Sequence, residues 1–179
     1  MHPTPTLPLT SVNPVDAATE GQHTFVRFRD RVRDRSGVQE LLVVRIGHER
    51  FAVPLEAVDE LVESPQLRTV PGAPDALLGL FALGEAMLPL YSPSAILGAE
   101  PVGEKVALVM RGGRSRIALA VDDADDVIRV TLTDVLEAPR TGRHDDVVLG
   151  VLWNDGDLLT LLDARAVVAS YGALSTEGA

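Results

Sequence analysis

Short runs of apolar residues, separated by turn residues, dominate the chain from Leu41 onward. The runs are rich in Val, Ile and Leu, and they read LLVVRI, RFAVPL, KVALVM, RIALAV and VVLGVLW. Turn residues bound them at Gly47-His48-Glu49, Gly112-Gly113 and Asn154-Asp155-Gly156. Because tight hairpin turns need residues with positive φ, the Asn-Asp-Gly sequence indicates a hairpin. Several short strands joined by such turns predict a mainly β fold, built as small barrels or a sandwich.

The apolar pattern occurs twice along the chain. Phe51–Leu55 resembles Ile117–Val121 at an offset of 66 residues, and Leu78-Gly79 resembles Leu149-Gly150 at an offset of 71. Each repeat ends in a short helical segment, which we place near Ser94–Leu97 and Ala164–Ser170. A unit of this size buries little surface alone, so the two halves are expected to share a core. The groove between them is a natural site for a partner.

Matched positions of the repeat define the expected core. Their side chains should be buried, and replacing a leucine there by alanine should cost about 2–5 kcal/mol. The first half contributes Val53, Leu55, Leu78, Leu90 and Ile96. The second half contributes Leu119, Val121, Leu149, Leu161 and Val167.

The first part of the chain follows neither pattern. Residues 1–24 are rich in Pro and Thr and predict a disordered tail. Residues 25–36, FVRFRDRVRDRS, place five Arg beside two Asp, and Phe25, Phe28 and Val32 fall on one helical face. We interpret this segment as a solvated helical lead-in that packs weakly on the domain. A basic arm that docks an acidic partner or a membrane surface is one alternative, and plain disorder is the other.

One folded domain is expected over residues 38–175, after a tail and basic arm over residues 1–37. Its two halves should span about 41–100 and 103–172. No stretch near the N-terminus combines a basic region with the apolar region of an export signal. No apolar run reaches the roughly 18 residues that a spanning helix needs. We therefore expect a cytoplasmic protein without membrane insertion.

The composition narrows the class of protein further. Of the 179 residues 46% are apolar, which is enough for an ordinary core and argues against a wholly disordered chain. Asp and Glu number 26 against 16 Lys and Arg, and the resulting charge of −10 argues against nucleic-acid binding. Aromatic residues make up 4%, too few for a base-stacking platform. The absence of cysteine excludes disulfides, thiolate zinc sites and cysteine nucleophiles.

No catalytic constellation stands out in the sequence, which lacks the nucleophile-elbow, Walker and dinucleotide-binding motifs. The histidines are scattered without metal-ligand spacing, at His2, His23, His48 and His144. The one carboxylate cluster consists of Asp122, Asp123, Asp125 and Asp126. It lacks the Gly and distal Glu of a calcium loop, so we interpret it as a charged loop between two strands, with an acidic partner-facing patch as the alternative. We expect no enzymatic activity, no metal and no cofactor.

The segment Leu80–Met87 indicates a hairpin with Gly84 at a position of positive φ. A second interpretation is an apolar tip that contacts a partner. Phe81, Leu83 and Met87 are large residues for a turn region, which is why this interpretation stays open.

Four blocks of the sequence carry a family resemblance. The first is QELLVVRIGHERFAVPLEAVDEL, with Val58-Asp59-Glu60-Leu61 as a V-x-E-[IV] segment, and the second is TVPGAPDALLGLFALGEAMLPL. The third and fourth are IALAVDDADDVI and VLGVLWNDGDLLTLLDARAVV. Together they run from about Gln39 to Gly172, in the order and with the spacing of the CheW family, the coupling proteins of bacterial chemotaxis arrays. The chain therefore resembles that family.

This resemblance implies a mainly β fold of two intercalated five-stranded β-barrel subdomains with short helices. It also implies a non-catalytic adaptor that couples the tip of a methyl-accepting chemoreceptor to a CheA-type histidine kinase, with other CheW-like domains as further candidate partners. The receptor tip would lie in the groove between the halves, and the kinase's own CheW-like domain would pack barrel to barrel. The implied partner-binding residues are Val58, Glu60, Ala82, Leu83, Gly84, Glu85 and Val106.

One departure from the family pattern concerns the N-L-R-G motif, which falls on Ala82-Leu83-Gly84-Glu85. Gly84 stands where the family has Arg, and a carboxylate follows it. Because an arginine fork pairs well with carboxylates, this change should weaken pairing with an acidic receptor tip. A divergent CheW-like scaffold that has lost receptor or kinase binding is therefore the alternative. A nucleic-acid-binding barrel and an unrecognised enzyme are the other classes, and the charge and the missing constellation argue against them.

Overall fold

The computed structural model describes residues 37–103, 105–112, 114–138 and 145–176. The predicted tail and basic arm, together with His2, His23 and His144, lie outside these residues. The described strands are β1 Val38–Ile46, β2 Glu49–Pro54, β3 Val58–Glu63, β4 Leu77–Leu83, β5 Ala86–Tyr91, β6 Val106–Gly112, β7 Ser115–Val121, β8 Asp123–Thr131, β9 Val148–Asn154 and β10 Asp157–Leu162. The helices are α1 Ser94–Leu97 and α2 Ala164–Thr176, with short 3₁₀ turns at Leu55–Ala57 and Leu132–Asp134.

The strands form two five-stranded sheets that exchange segments between the halves of the sequence. Sheet A has the order β8-β1-β2-β10-β9, and sheet B has the order β3-β6-β7-β5-β4. The first two strands of each half therefore join a sheet that is completed by strands of the other half. The predicted fold class, mainly β with two intercalated five-stranded units and short helices, is confirmed.

The internal repeat is confirmed at the level of strand register. Replacing every strand by its counterpart in the other half converts the order of sheet A into that of sheet B. Both sheets contain one parallel pairing at matched positions, Leu161 with Ala52 in sheet A and Leu90 with Ala118 in sheet B. Gly79 and Gly150 also match, with φ values of 153° and 159° beside equivalent irregularities of the register.

Predicted turns and helices largely agree with the structure. Asp155 and Gly156 have φ values of 51° and 88°, which is the double positive φ of a tight hairpin. The first helix has the predicted bounds, whereas α2 is longer than predicted and continues to Thr176. The side chain of Asp163 accepts hydrogen bonds from the first backbone N–H groups of α2, which caps that helix.

Alternation along the strands divides the apolar side chains among three buried clusters. Leu42 and Val44 of β1 face the central cluster between the sheets, which α2 also covers, while Leu41 and Val43 face the core of sheet A. Phe81 and Leu90 belong to the core of sheet B. Of the predicted core positions, the buried ones are Val53, Leu90, Leu119, Val121, Leu149, Leu161 and Val167.

Three core predictions are wrong, because Leu55, Leu78 and Ile96 are only partly buried. Leu55 lies in a 3₁₀ turn rather than in a strand. Leu78 lies on the edge strand β4 beside the irregularity at Gly79. The single turn of α1 buries its last residue, Leu97, instead of Ile96.

The interpretation of the aspartate cluster as a loop is also wrong. Asp123, Asp125 and Asp126 lie within strand β8, and only Asp122 lies between strands. Arginines on β1 and β2 balance two of the three carboxylates of β8. Arg45 lies 3.8 Å from the carboxylate of Asp123, and Arg50 lies 3.6 Å from that of Asp125.

Candidate functional site

All the sequence-predicted site residues belong to sheet B or its turns. Val58 and Glu60 lie on β3, and Val106 begins the adjacent strand β6. Ala82 and Leu83 end β4, and Gly84-Glu85 form the turn to β5. Strand pairing thus brings β3 and β6 together, but the β4–β5 turn belongs to the opposite end of the strand order. Both edge strands of sheet B pack against the same core, β3 through Val62 and β4 through Leu83.

The β3 segment is fixed to its neighbours by an ion-paired aspartate. Asp59 lies at an irregularity in the β3–β6 register, and its side chain is only 11% exposed. It forms ion pairs with Arg111 of β6 and with Arg116 of β7, the latter with an Nε–Oδ2 distance of 2.6 Å. The two arginines stand directly opposite each other, an arrangement that is unfavourable unless a carboxylate lies between them. Asp59 therefore positions Val58 and Glu60 on either side of it.

The β4–β5 turn is an ordinary tight hairpin. Gly84 has a φ of 61°, and a Cβ atom added to it would meet nothing within 4 Å. The structure argues against an apolar tip that contacts a partner, because Phe81 is 1% exposed and Leu83 is partly buried. Met87 is the large apolar side chain that this hairpin exposes, at 45%.

A stronger apolar surface lies on the β9–β10 hairpin, and sequence reasoning missed it. Trp153 is 66% exposed and stands directly opposite Leu158, which is 47% exposed. Leu136, 54% exposed, bridges to Val151 on the other side of β9. We call Trp153, Leu158 and Leu136 the β9–β10 patch. Neighbouring exposed apolar side chains are typical of interaction surfaces.

The internal repeat contained the signal for this patch. Trp153 and Leu158 follow Ala82 and Met87 by the same offset of 71 residues that relates Gly79 to Gly150. Ala82 and Met87 are likewise a directly opposed pair, in the β4–β5 hairpin. The two hairpins are therefore equivalent surfaces of the two sheets, and the larger apolar side chains are on β9–β10.

Asp122 links the two halves of the chain. Its carboxylate accepts backbone hydrogen bonds from Gly47 at 2.5 Å and from Val102 and Gly103 at 2.7 Å each. Partial burial acts to raise the pKa of Asp122, but these hydrogen bonds and the charge of Arg45 outweigh it, so the pKa lies below its usual range. The bonds join the β1–β2 turn to the connection between the repeats.

An open cavity of about 760 Å³ lies beside the start of β1. Its lining consists of Val38, Gln39, Glu40, Leu55, Glu56 and Arg129. Arg129 is ion-paired with Glu40 at 2.9 Å, so its charge is already balanced. Within the described ranges, no group of three or more His, Asp or Glu side chains is placed to hold a metal ion. No helix among the described residues is long and apolar enough to cross a membrane.

Two intercalated five-stranded sheets, with equivalent hairpins exposed on each, define a CheW-like domain. The chain belongs to this family, because the family model for the CheW-like domain matches residues 40–171. The chain is 30% identical to the chemotaxis protein CheW of Rhizobium meliloti over 140 residues, which covers 75% of this chain and 90% of that protein. It is 26% identical to the chemotaxis protein CheW of Helicobacter pylori over 139 residues, covering 75% and 84%.

The fold comparison gives the same result. The crystal structure of the scaffolding protein CheW from Thermoanaerobacter tengcongensis superposes with a TM-score of 0.64 at 17% identity, covering 71% of this chain and 90% of that one. This structure shares the fold, and the match of the family model confirms the family resemblance of the sequence.

Proposed function

We propose that this protein is a non-catalytic cytoplasmic adaptor that couples a chemoreceptor to a CheA-type histidine kinase. Relatives named as chemotaxis and scaffolding proteins support this role. The structural observation that carries it is the exposed Trp153–Leu158 pair on a hairpin equivalent to β4–β5. An adaptor needs separate surfaces for separate partners, and the repeat supplies one on each sheet.

The two surfaces divide the partners between them. The β9–β10 patch of sheet A docks the kinase's CheW-like domain, because a large exposed Trp is typical of an interface anchor. The predicted partner-binding residues, which lie on sheet B, contact the receptor tip; they are Val58, Glu60, Ala82, Leu83, Gly84, Glu85 and Val106. A second candidate role is a divergent scaffold that has lost receptor or kinase binding. The exposed Glu85 beside Gly84, where the family has Arg-Gly, favours this alternative.

Calorimetry tests the proposal with a receptor-tip fragment and the kinase's CheW-like domain, both from the same genome. The double variant Trp153→Ala/Leu158→Ala should weaken kinase-domain binding by about 2 kcal/mol or more, since Trp residues are frequent hot spots. Met87→Ala, at the equivalent place in the repeat, is the matched control and should leave that binding unchanged. The adaptor role is wrong if the unmodified protein binds neither fragment. Receptor binding alone, or kinase binding alone, favours the divergent scaffold.

A further inference from the structure

A cluster of arginines lies on the β6–β7 hairpin of an otherwise acidic protein. The segment 111–116 contains three Arg, whereas the chain as a whole has a charge of −10. The side chains of Arg111 and Arg116 are 56% and 38% exposed, and Arg114 is exposed in the turn. In the described parts of the chain, Asp59 is the only carboxylate that pairs with Arg111 or Arg116, and Arg114 has no ion-pair partner. Two arginines thus share one carboxylate, and the third has none among the described residues.

Two of the three arginines, Arg111 and Arg116, are held in place before any partner arrives. Asp59 engages one terminal nitrogen of Arg111 and Nε of Arg116. A guanidinium has five N–H donors, so both arginines keep donors for a further acceptor. The hairpin packs closely against α2. A Cβ atom on Gly112 would lie only 2.7 Å from the side chain of Val168 in that helix. Groups that are already ordered lose little entropy on binding.

We infer that the β6–β7 arginine cluster, Arg111, Arg114 and Arg116, docks a carboxylate-rich segment of a partner protein. Arginine forks pair with carboxylates in bidentate geometry. A membrane or a nucleic acid would require a broad basic face, and the charge of −10 repels such extended polyanions. A short acidic segment interacts mainly with charges within about 10 Å, so it senses the cluster rather than the entire protein.

This docking site deepens the proposed function, and it rests on that function for the existence of a protein partner. The site shares Asp59 with the β3 segment that carries Val58 and Glu60. An acidic segment bound to the arginines would therefore lie beside the residues proposed for receptor contact. The basic group missing at Gly84 is replaced, in this arrangement, by arginines on another hairpin.

The test is fluorescence anisotropy of a labelled helical peptide with Glu at every fourth position, titrated with the full-length protein. Arg114→Glu should weaken binding about tenfold or more, because it converts the unpaired cation into a like charge. Arg165→Glu makes the same charge change at an exposed position of α2 and should stay within about twofold of the unmodified protein. The same peptide with Gln in place of Glu should not bind. Unchanged thermal unfolding of Arg114→Glu checks that its fold is intact.

Four other outcomes of these binding measurements would each contradict a different claim. Equal losses in Arg114→Glu and Arg165→Glu would show a general charge effect and overturn the site. Binding to phosphatidylserine-containing vesicles or to a DNA duplex that Arg114→Glu removes, without peptide binding, would replace the protein partner by a polyanion. Normal binding of receptor and kinase fragments without any peptide binding would overturn this inference and leave the adaptor role intact. Peptide binding that depends on Arg114, without binding of either fragment, would overturn only the adaptor role.

Discussion

Replacing Asp122 by Asn should destabilise the fold, because it weakens the hydrogen bonds that hold the β1–β2 turn to the segment between the two repeats. One carboxylate oxygen accepts from Gly47, and the other accepts from Val102 and Gly103. An amide offers only one acceptor oxygen, so its NH₂ group must face a backbone donor on one side. At least one hydrogen bond is lost, and the others lose the contribution of the negative charge.

The expected loss is about 2–3 kcal/mol. A hydrogen bond to a charged group contributes about 1.5–3 kcal/mol, and three of them set the upper limit. The bonds to Val102 and Gly103 are exposed, so water can replace them in the variant, whereas the bond to Gly47 is partly buried. The Gly47 bond therefore contributes fully to the loss in free energy of unfolding, and the other two bonds contribute only in part.

Urea unfolding of Asp122→Asn and the unmodified protein at several pH values measures the effect. Because the pKa of Asp122 is lowered in the folded state, its contribution is fully present above the unfolded pKa of about 3.9. It is lost as the pH falls through the lower, folded pKa. The difference between the two proteins should be constant near neutral pH and should shrink below about pH 4.

The control is Asp123→Asn, which removes an exposed carboxylate 3.8 Å from Arg45 and should cost less than about 1 kcal/mol. Equal stability of Asp122→Asn and the unmodified protein would show that the three hydrogen bonds of Asp122 do not stabilise the fold. A loss that is the same at pH 3 and pH 7 would attribute the effect to shape rather than to charge.

Three further predictions concern the core, the ion-paired aspartate and the β4–β5 turn. Leu149→Ala should cost about 2–5 kcal/mol in urea unfolding and Leu78→Ala clearly less, because only Leu149 is buried; equal costs would contradict the assigned environments. Asp59→Ala should cost about 1–3 kcal/mol by leaving two opposed arginines unbalanced, and added salt should reduce that cost; a salt-independent loss would argue against the electrostatic explanation. In calorimetry with the receptor-tip fragment, Gly84→Arg/Glu85→Gly should bind about tenfold more tightly than the unmodified protein, and unchanged affinity would place the receptor elsewhere. Both variants place Arg where Gly84 has a φ of 61°, and the glycine introduced by Glu85→Gly lets the turn rearrange, so Gly84→Arg alone is the control for strain in the turn.

The fold could be predicted from the sequence because its signals are local and occur twice. Asn154-Asp155-Gly156 specifies its turn by itself, and Gly79 and Gly150 mark equivalent irregularities in the two halves. The exchange of strands between the sheets came from the family resemblance. Apolar alternation tells which residues are buried but does not tell which strands pair across the repeats.

The site was less predictable, because exposure and partners depend on the tertiary structure. Trp153 and Leu158 have the same apolar character as core residues, so their composition does not show that they are exposed on the β9–β10 hairpin. Asp122 and Asp123 are adjacent and identical in type. One accepts three backbone hydrogen bonds, whereas the other is an exposed strand residue, and the difference lies in a contact with Gly47, 75 residues away.

The exchange of strands also governs how the chain can fold as it leaves the ribosome. Strand β2 pairs with β10, so the pairing at Phe51 cannot form until Thr160 has been synthesised. In sheet B the corresponding sequence separation is shorter, since Leu90 pairs with Ala118. Pairings between distant segments raise the contact order and slow folding. Sheet B can therefore form during translation while sheet A stays open, and its unfinished edge is the part of the nascent protein most exposed to aggregation.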